Sequence, residues 1–242
     1  MKYKNLCYKL YVFSLLGIII FVLVLYNILS FGALCKSKKP QNMEQFREFQ
    51  LGEELFSVYM GEQDWRRKKA EKIFGTQYHT LFSQILCDTQ CFPVLEEKGY
   101  YVNFEDSWME GRSYGGKRGH EGTDLMANKN ERDKISIVSV SDGVVEKKGW
   151  LPQGGYRLGI RSDSGAYFYY AHLSSYAEGM EEGTTVKAGQ VIGKMGDTGY
   201  GEEGTSGKFP VHLHFGIYVT MEGEETSVNP YSLLKYLQKK ES

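Results

Sequence analysis

Proline and cysteine are scarce in this chain of 242 residues, at five and four, and neither sign of charge is in excess. Lys and Arg number 29 against 30 Asp and Glu, a formal net charge of −1. Such a balance builds no polyanion-binding surface, which argues against nucleic acid as a partner. The four cysteines form two separated pairs: Cys7 and Cys35 flank an apolar run, and Cys87 and Cys91 lie four apart. No second Cys/His pair accompanies Cys87 and Cys91, which argues against a cysteine-based zinc site. A local disulfide in an oxidising compartment and two half-buried thiols are the readings left for them. Glycine, by contrast, is plentiful at 28, mostly after Gly99, and tyrosine numbers 18. With few prolines and many short β-branched runs, the second half reads as all-β with frequent turns.

Charge is also absent from Leu10 to Leu34, where the core reads LLGIIIFVLVLYNIL. That run exceeds the roughly 20 apolar residues that span a hydrocarbon core. Lys2, Lys4 and Lys9 precede it, as in a cleaved signal peptide, which is the alternative reading. The run is longer than an ordinary signal h-region, however, and no A-x-A site follows. Gly-Ala-Leu before Cys35 lacks the small residue a lipoprotein site places directly ahead of its cysteine. Residues 1–36 therefore read as a cytoplasmic tail and an uncleaved transmembrane signal-anchor. Lysines flank both ends (Lys36, Lys38 and Lys39 follow), so the basic residues do not decide its orientation.

Residues 37–90 have few strand signals and place apolar residues three and four apart, as in QNMEQFREFQLGEELFSVYM, which predicts a short helical stalk or cap. Its RRKKAEK run reads as a solvated helix face, with a membrane-surface contact as the alternative. Phe92-Pro93-Val94 marks the start of a globular domain spanning 91–242. There, short strands alternate with glycine turns in ISIVSVSDGVVEKKGW, YRLGIRSDSGAYFYYAHL, GTTVKAGQVIGKMG and VHLHFGIYV. Asp142-Gly143 and Asp163-Ser164-Gly165 sit between these patterns as hairpin turns would. The expectation is an all-β domain of antiparallel sheets, barrel- or sandwich-like, closed by Asn229-Pro230 and a short terminal helix.

Of five histidines, His79 falls in the helical stretch, where an exposed or capping role is the default. The other four, His120, His172, His212 and His214, lie in glycine- or strand-rich contexts. His120 opens H-E-G-T-D, which puts Asp124 four residues on, and His212 and His214 form H-L-H. Side chains alternate along a strand, so His212 and His214 point the same way. Two imidazoles on one face of a buried strand are costly unless a metal or hydrogen-bond partners meet them. A catalytic zinc takes three protein ligands and keeps a fourth position open. His120, Asp124 and one histidine of the pair would supply such a site; the plain alternative is a set of satisfied surface side chains. Gly119 and Gly122 rule against a helical H-E-x-x-H arrangement.

Those residues, with R-x-Y-G-G-K-R-G-H-E-G-T-D-L-M-A, Y-Y-A-H-L, V-K-A-G-Q-V-I-G-K-M-G-D-T-G and G-K-F-P-V-H-L-H-F around them, resemble the lysostaphin-type, LytM-like zinc endopeptidases of bacterial cell walls. The resemblance covers roughly residues 92–235 and leaves the stalk outside it. It implies zinc held by His120, Asp124 and His214, with His172 and His212 as catalytic residues beside the active water. Tyr114, six residues before His120, matches a point where the family often has an aromatic hydroxyl, able to donate to the oxyanion or simply to pack. Arg112 and Arg118 read as contacts to a substrate carboxylate or as loop ion pairs. Asp142 and Asp197 read as turn formers, and the loop 197–207 as one wall of a cleft.

The activity implied is zinc-dependent hydrolysis of amide bonds in peptidoglycan peptides, at a cross-link or a bridge. Peptidoglycan is then the partner, reached from the outer side of a bacterial cell membrane that the N-terminal helix crosses once. The alternative is a non-catalytic LytM-like module that activates or scaffolds another cell-wall enzyme, with division or sporulation proteins as partners. Missing ligands would favour that module, and none is missing. A lipoyl- or biotinyl-type carrier, suggested by VKAGQVIGKMGDTG, needs a lysine at a hairpin tip; Lys194 lies in a strand-to-turn context, and four histidines would go unexplained.

Overall fold

The computed structural model describes residues 85–241 apart from 86, 96 and 222. The predicted signal-anchor, all of the predicted stalk before Ile85, His79, Cys7 and Cys35 lie outside the described residues. Among those described, no helix is long and apolar enough to cross a membrane. Ile85, Cys87 and Asp88 are helical, and Thr89 closes that turn by donating its N–H and hydroxyl to the Ile85 carbonyl. Cys87 is a free thiol, and the Cys91 thiol donates to the Ser139 carbonyl at 3.3 Å.

Thirteen strands and one helix follow. They are β1 (Val94–Leu95), β2 (Val102–Asn103), β3 (Gly111–Arg112), β4 (Arg118–Gly119), β5 (Thr123–Ala127), β6 (Ser136–Val138) and β7 (Gly143–Leu151). After these come β8 (Gly155–Arg161), β9 (Tyr167–Tyr176), β10 (Thr185–Val186), β11 (Val191–Met195), β12 (His212–Met221), β13 (Glu224–Val228) and α1 (Tyr231–Glu241). Eleven strands form one antiparallel sheet whose spine runs β1-β6-β11-β9-β12-β5-β2. The strands β7, β8 and β10 branch from β9, β13 pairs with the outer half of β12, and β3 and β4 form a separate hairpin. The all-β expectation holds for the described residues.

Strand alternation builds two unlike faces at the sheet's centre. Phe168 and Tyr170 on β9 and Leu213, Phe215 and Ile217 on β12 are fully buried. Phe215 packs against both aromatic rings, 6.3 Å from Phe168 and 5.4 Å from Tyr170. Each such side chain contributes about 1.5–3 kcal/mol on burial. The opposite parity places Tyr167, Tyr169 and Ala171 beside Tyr218, Gly216 and His214 across the β9–β12 ladder. That second face is the floor of the site described below.

Asp163-Ser164-Gly165 is the hairpin between β8 and β9, closed by Ser162 N–H to Ala166 O and Gly165 N–H to Ser162 O. Asp142-Gly143 is not a hairpin turn, because β6 and β7 do not pair. It is a corner where the chain changes partners, with the Asp142 carboxylate accepting from Ala188 N–H and Lys187 Nζ. The terminal helix is capped at its start: Asn229 Oδ1 accepts from Tyr231 N–H at 2.9 Å, Pro230 directly precedes the helix and its carbonyl accepts from Leu234 N–H at 3.0 Å, and Leu233, Leu234 and Leu237 are buried. Lys194 lies within β11, its Nζ on Ser136 Oγ at 2.9 Å, which is no hairpin tip.

Candidate active site

Three strands bring the predicted ligands together. Asp124 on β5 stands directly opposite His214 on β12, and His214 stands opposite Ala171 on β9. His120 enters from the turn before β5. Its Nε2 lies 3.0 Å from Asp124 Oδ1 and 2.9 Å from His214 Nδ1, and His214 Nδ1 is 3.0 Å from the same Asp124 oxygen. His120 is 2% exposed, so this cluster of donors is shielded from bulk water on its inner side. Among the described residues this trio forms the group of His, Cys, Asp and Glu able to hold a metal ion.

The donor set fits a divalent cation. Ser107 O accepts from His120 Nδ1 at 3.1 Å, which fixes the tautomer that leaves the Nε2 lone pair facing Asp124 and His214. The other Asp124 oxygen accepts from Arg112 Nη2 at 3.1 Å, so Arg112 orients the carboxylate as an ion pair within the site. Two imidazole nitrogens 2.9 Å apart around one carboxylate oxygen form a compact N, N, O cradle of the type zinc takes. Gly122 makes this approach possible: a Cβ there would lie 2.6 Å from His214 Cε1 and 2.7 Å from Phe215 O.

His172 and His212 stand beside the cradle. Their rings are 4.7 Å apart centre to centre, and His172 is 6.1 Å from the His214 ring. His212 Nε2 lies 3.8 Å from Asp124 Oδ1. Backbone carbonyls set both tautomers, because a carbonyl can only accept: His172 Nδ1–H donates to Thr198 O and His212 Nδ1–H to Pro210 O, each at 2.7 Å. In both rings Nε2 keeps its lone pair. Gly155 lets the Thr198 carbonyl come so close, since a Cβ there would meet that oxygen at 2.2 Å.

His172 owes its place to a break in strand geometry. Regular alternation would send it to the core face with Phe168 and Tyr170. Its φ of 63° turns it instead into the site, at the point where β9 passes from pairing with β12 at Ala171 to pairing with β11 at Leu173. A non-glycine residue in this conformation is strained and is held by its surroundings. Here the His172 N–H donates to Gly154 O at 2.7 Å.

Burial lowers the pKa of His172, His212 and His214, and for His172 the neighbouring His212 and His214 add to it. All three are neutral near pH 7, as ligands and proton acceptors must be. For Asp124 burial opposes ionisation, but the imidazoles of His120 and His214 set against it outweigh that and hold the carboxyl well below the usual range. Histidines whose folded pKa is depressed bind fewer protons folded than unfolded. Their stability contribution is complete above the unfolded value of about 6.5 and is lost as pH falls toward the folded values. Metal-free protein prepared by chelation should therefore lose thermal stability between about pH 7 and pH 5, measured by circular dichroism. A melting temperature that stays flat over that window would mean these rings are not buried neutral.

The site opens on a cavity of about 710 Å³ floored by the polar face of β9 and β12. Tyr200, from the loop expected to form a wall, lines it with Phe209, and the two rings are 4.8 Å apart. Asp197 braces that loop by accepting from Gly207 N–H at 3.1 Å. The Tyr114 ring, between β3 and β4, stacks on Tyr200 of that wall at 4.1 Å and 5°. Ser107, Gly155, Tyr169 and Arg157 carry no signal in the sequence, because none of them belongs to a motif of ligating residues.

Residues 118–230 match peptidase family M23. A solved structure from Ruminococcus gnavus, assigned as a glycyl-glycine endopeptidase lytM, is 44% identical; the match covers 85% of each chain with a TM-score of 0.65. The L-Ala–D-Glu endopeptidase of Bacillus subtilis is 44% identical over 133 residues, which are 55% of this chain and 40% of that protein. Lysostaphin of Staphylococcus staphylolyticus is 32% identical over 118 residues, 48% of this chain and 22% of the relative. The chain thus spans less than half the length of these curated relatives. Identity and coverage with the Ruminococcus structure, joined to the match over the ligand-bearing strands, establish that the chain belongs to peptidase family M23.

Proposed function

We propose that the protein is a zinc-dependent endopeptidase that hydrolyses amide bonds in peptidoglycan peptides. The observation that carries this is the meeting of His120 Nε2, Asp124 Oδ1 and His214 Nδ1 within 3.0 Å of one another on the wall of an open cavity. His120, Asp124 and His214 would hold zinc, which would supply Lewis-acid polarisation of a carbonyl and lower the pKa of a bound water toward neutrality. His172 and His212 present neutral Nε2 lone pairs beside it, so either can take a proton from the attacking water. Whichever ring then carries the proton can donate to the developing oxyanion or to the leaving amine. Tyr200 and Phe209 shield His172 from bulk water, with ring centres 6.3 Å and 4.6 Å from it. That shielding keeps the imidazole neutral until reaction. The wall-peptide substrate is supported by the family and by the named activity of the Bacillus relative.

The test is to incubate the full chain with purified peptidoglycan, with and without a chelator, and to identify new chain ends by mass spectrometry. New amino and carboxyl ends that vanish with chelator and return with zinc support the reading. Intact wall peptides under all conditions overturn it.

The substrate bears on topology as well. Peptidoglycan lies outside the membrane, so the apolar run 10–34 is proposed as a single span with residues 36–242 external and Met1–Lys9 cytoplasmic. Protease added to intact protoplasts should then remove the C-terminal domain. Full protection would reject both the external placement and the wall substrate.

A further inference from the structure

Two arginines line the cavity wall away from the ligand cluster, Arg118 and Arg157. Arg118 on β4 stands directly opposite Arg112 on β3, a like-charge cross-strand pair that repels unless anions compensate. Arg112 has its anions, Asp124 at 3.1 Å and Glu110 at 3.6 Å. Arg118 makes no such pair, and its Nε is buried with no acceptor among the described residues. Arg157, on β8 across the cavity, repeats the pattern: Nε and Nη1 are both buried and unmet. Buried guanidinium N–H groups without acceptors are costly and seldom left that way.

The neighbouring charges do not relieve them. Glu225 on the same wall is taken by Arg161 at 2.6 Å, and Asp124 is taken by its histidines and Arg112. Glu121 also borders the cavity, next to the ligand cluster at His120, while Arg118, Arg157 and Tyr169 line that cavity together. Tyr169 joins this positive pair to the reaction centre, with its ring 6.0 Å from the His214 ring. An extended peptide advances about 3.3–3.6 Å per residue. A side group on the residue adjoining the scissile amide therefore falls within a tyrosine's length of the ligands.

We propose that Arg118 and Arg157, set about Tyr169, form a carboxylate subsite that selects peptides with a free carboxylate on the residue next to the cut amide. The assignment rests on the wall-peptide hydrolase reading and names the substrate class of that same site. Guanidinium forks match a planar carboxylate with paired N–H donors, which a carboxamide cannot satisfy because its nitrogen also donates. Arg118 and Arg157 are specificity residues; proton transfer stays with the histidines.

The experiment uses the full chain loaded with zinc and two wall peptides containing L-Ala–D-Glu. They differ only in whether the free D-Glu carboxylate is kept or converted to a carboxamide. Wild type should favour the carboxylate by about 10- to 100-fold in kcat/KM. Arg157→Gln should bring that ratio close to one at unchanged zinc content, and Arg118→Gln should shift it the same way. A structural role would lower both rates alike and leave the ratio intact. Should Arg157→Gln fail to fold, Arg157→Lys carries the test, with the charge kept, the fork lost and an intermediate ratio expected. Equal wild-type rates on the two peptides overturn the subsite and leave the hydrolase reading standing. Cleavage of neither peptide, while whole peptidoglycan is still cut, likewise overturns the subsite and leaves the hydrolase reading standing.

Discussion

His214→Ala should empty the metal site and abolish turnover together. The strand pairing places His214 between Asp124 and Ala171, so its loss removes one corner of the cradle without touching the Phe215 packing behind it. Two protein ligands are left, and a catalytic zinc needs three. Zinc content measured by emission spectrometry should fall from about one per chain toward zero, and wall-peptide hydrolysis should fall to background. His120→Ala should behave alike, because Ser107 O aims its Nε2 at the same point. Asp124→Ala is a harsher change, since it also strips Arg112 of its closest anion. The comparison that decides the strand register is His212→Ala. If His212→Ala loses zinc while His214→Ala keeps it, the ligand and catalyst assignments along H-L-H are reversed.

His172→Ala and His212→Ala should instead keep their zinc and lose rate by about 10²–10⁴-fold, the scale for removing a general acid or base. Neither ring offers an atom to the cradle, and each is oriented by a backbone carbonyl on the side away from it. The double variant should be barely slower than the poorer single one, because groups that work as a unit are not additive. Since burial holds both rings neutral, the loss should appear in kcat near pH 7, where a neutral base is required. Near wild-type turnover in a zinc-replete variant would remove that histidine from the mechanism.

Much of this site was legible in the sequence, and the parts that were not have physical reasons. Period-two alternation is enough to put His212 and His214 on one face, and Asn229-Pro230 is enough to start the last helix. The same alternation misplaces His172, whose φ of 63° reverses its direction; only the family resemblance pointed to it. Asp142-Gly143 resembles a hairpin turn because its local chemistry is that of one, while strand partnership is a long-range property that local signals do not encode. β13, EETSV, is polar and carries no apolar alternation, so it forms through its ladder with β12. Arg157 escaped notice because the β8–β9 register shifts between Tyr156 and Leu158, which defeats counting by twos. Tyr114, which the family resemblance singled out, stacks on Tyr200 of the cavity wall.

The most direct measurement is stoichiometric reconstitution. The full chain is stripped with a chelator, zinc is added back in fractions of an equivalent, and wall-peptide hydrolysis and bound metal are read on the same samples. One site built by His120, Asp124 and His214 predicts a rate that climbs in proportion to bound zinc and levels off at about one per chain. A rate that is already full in the stripped protein, or that stays at background with the site loaded, would contradict it.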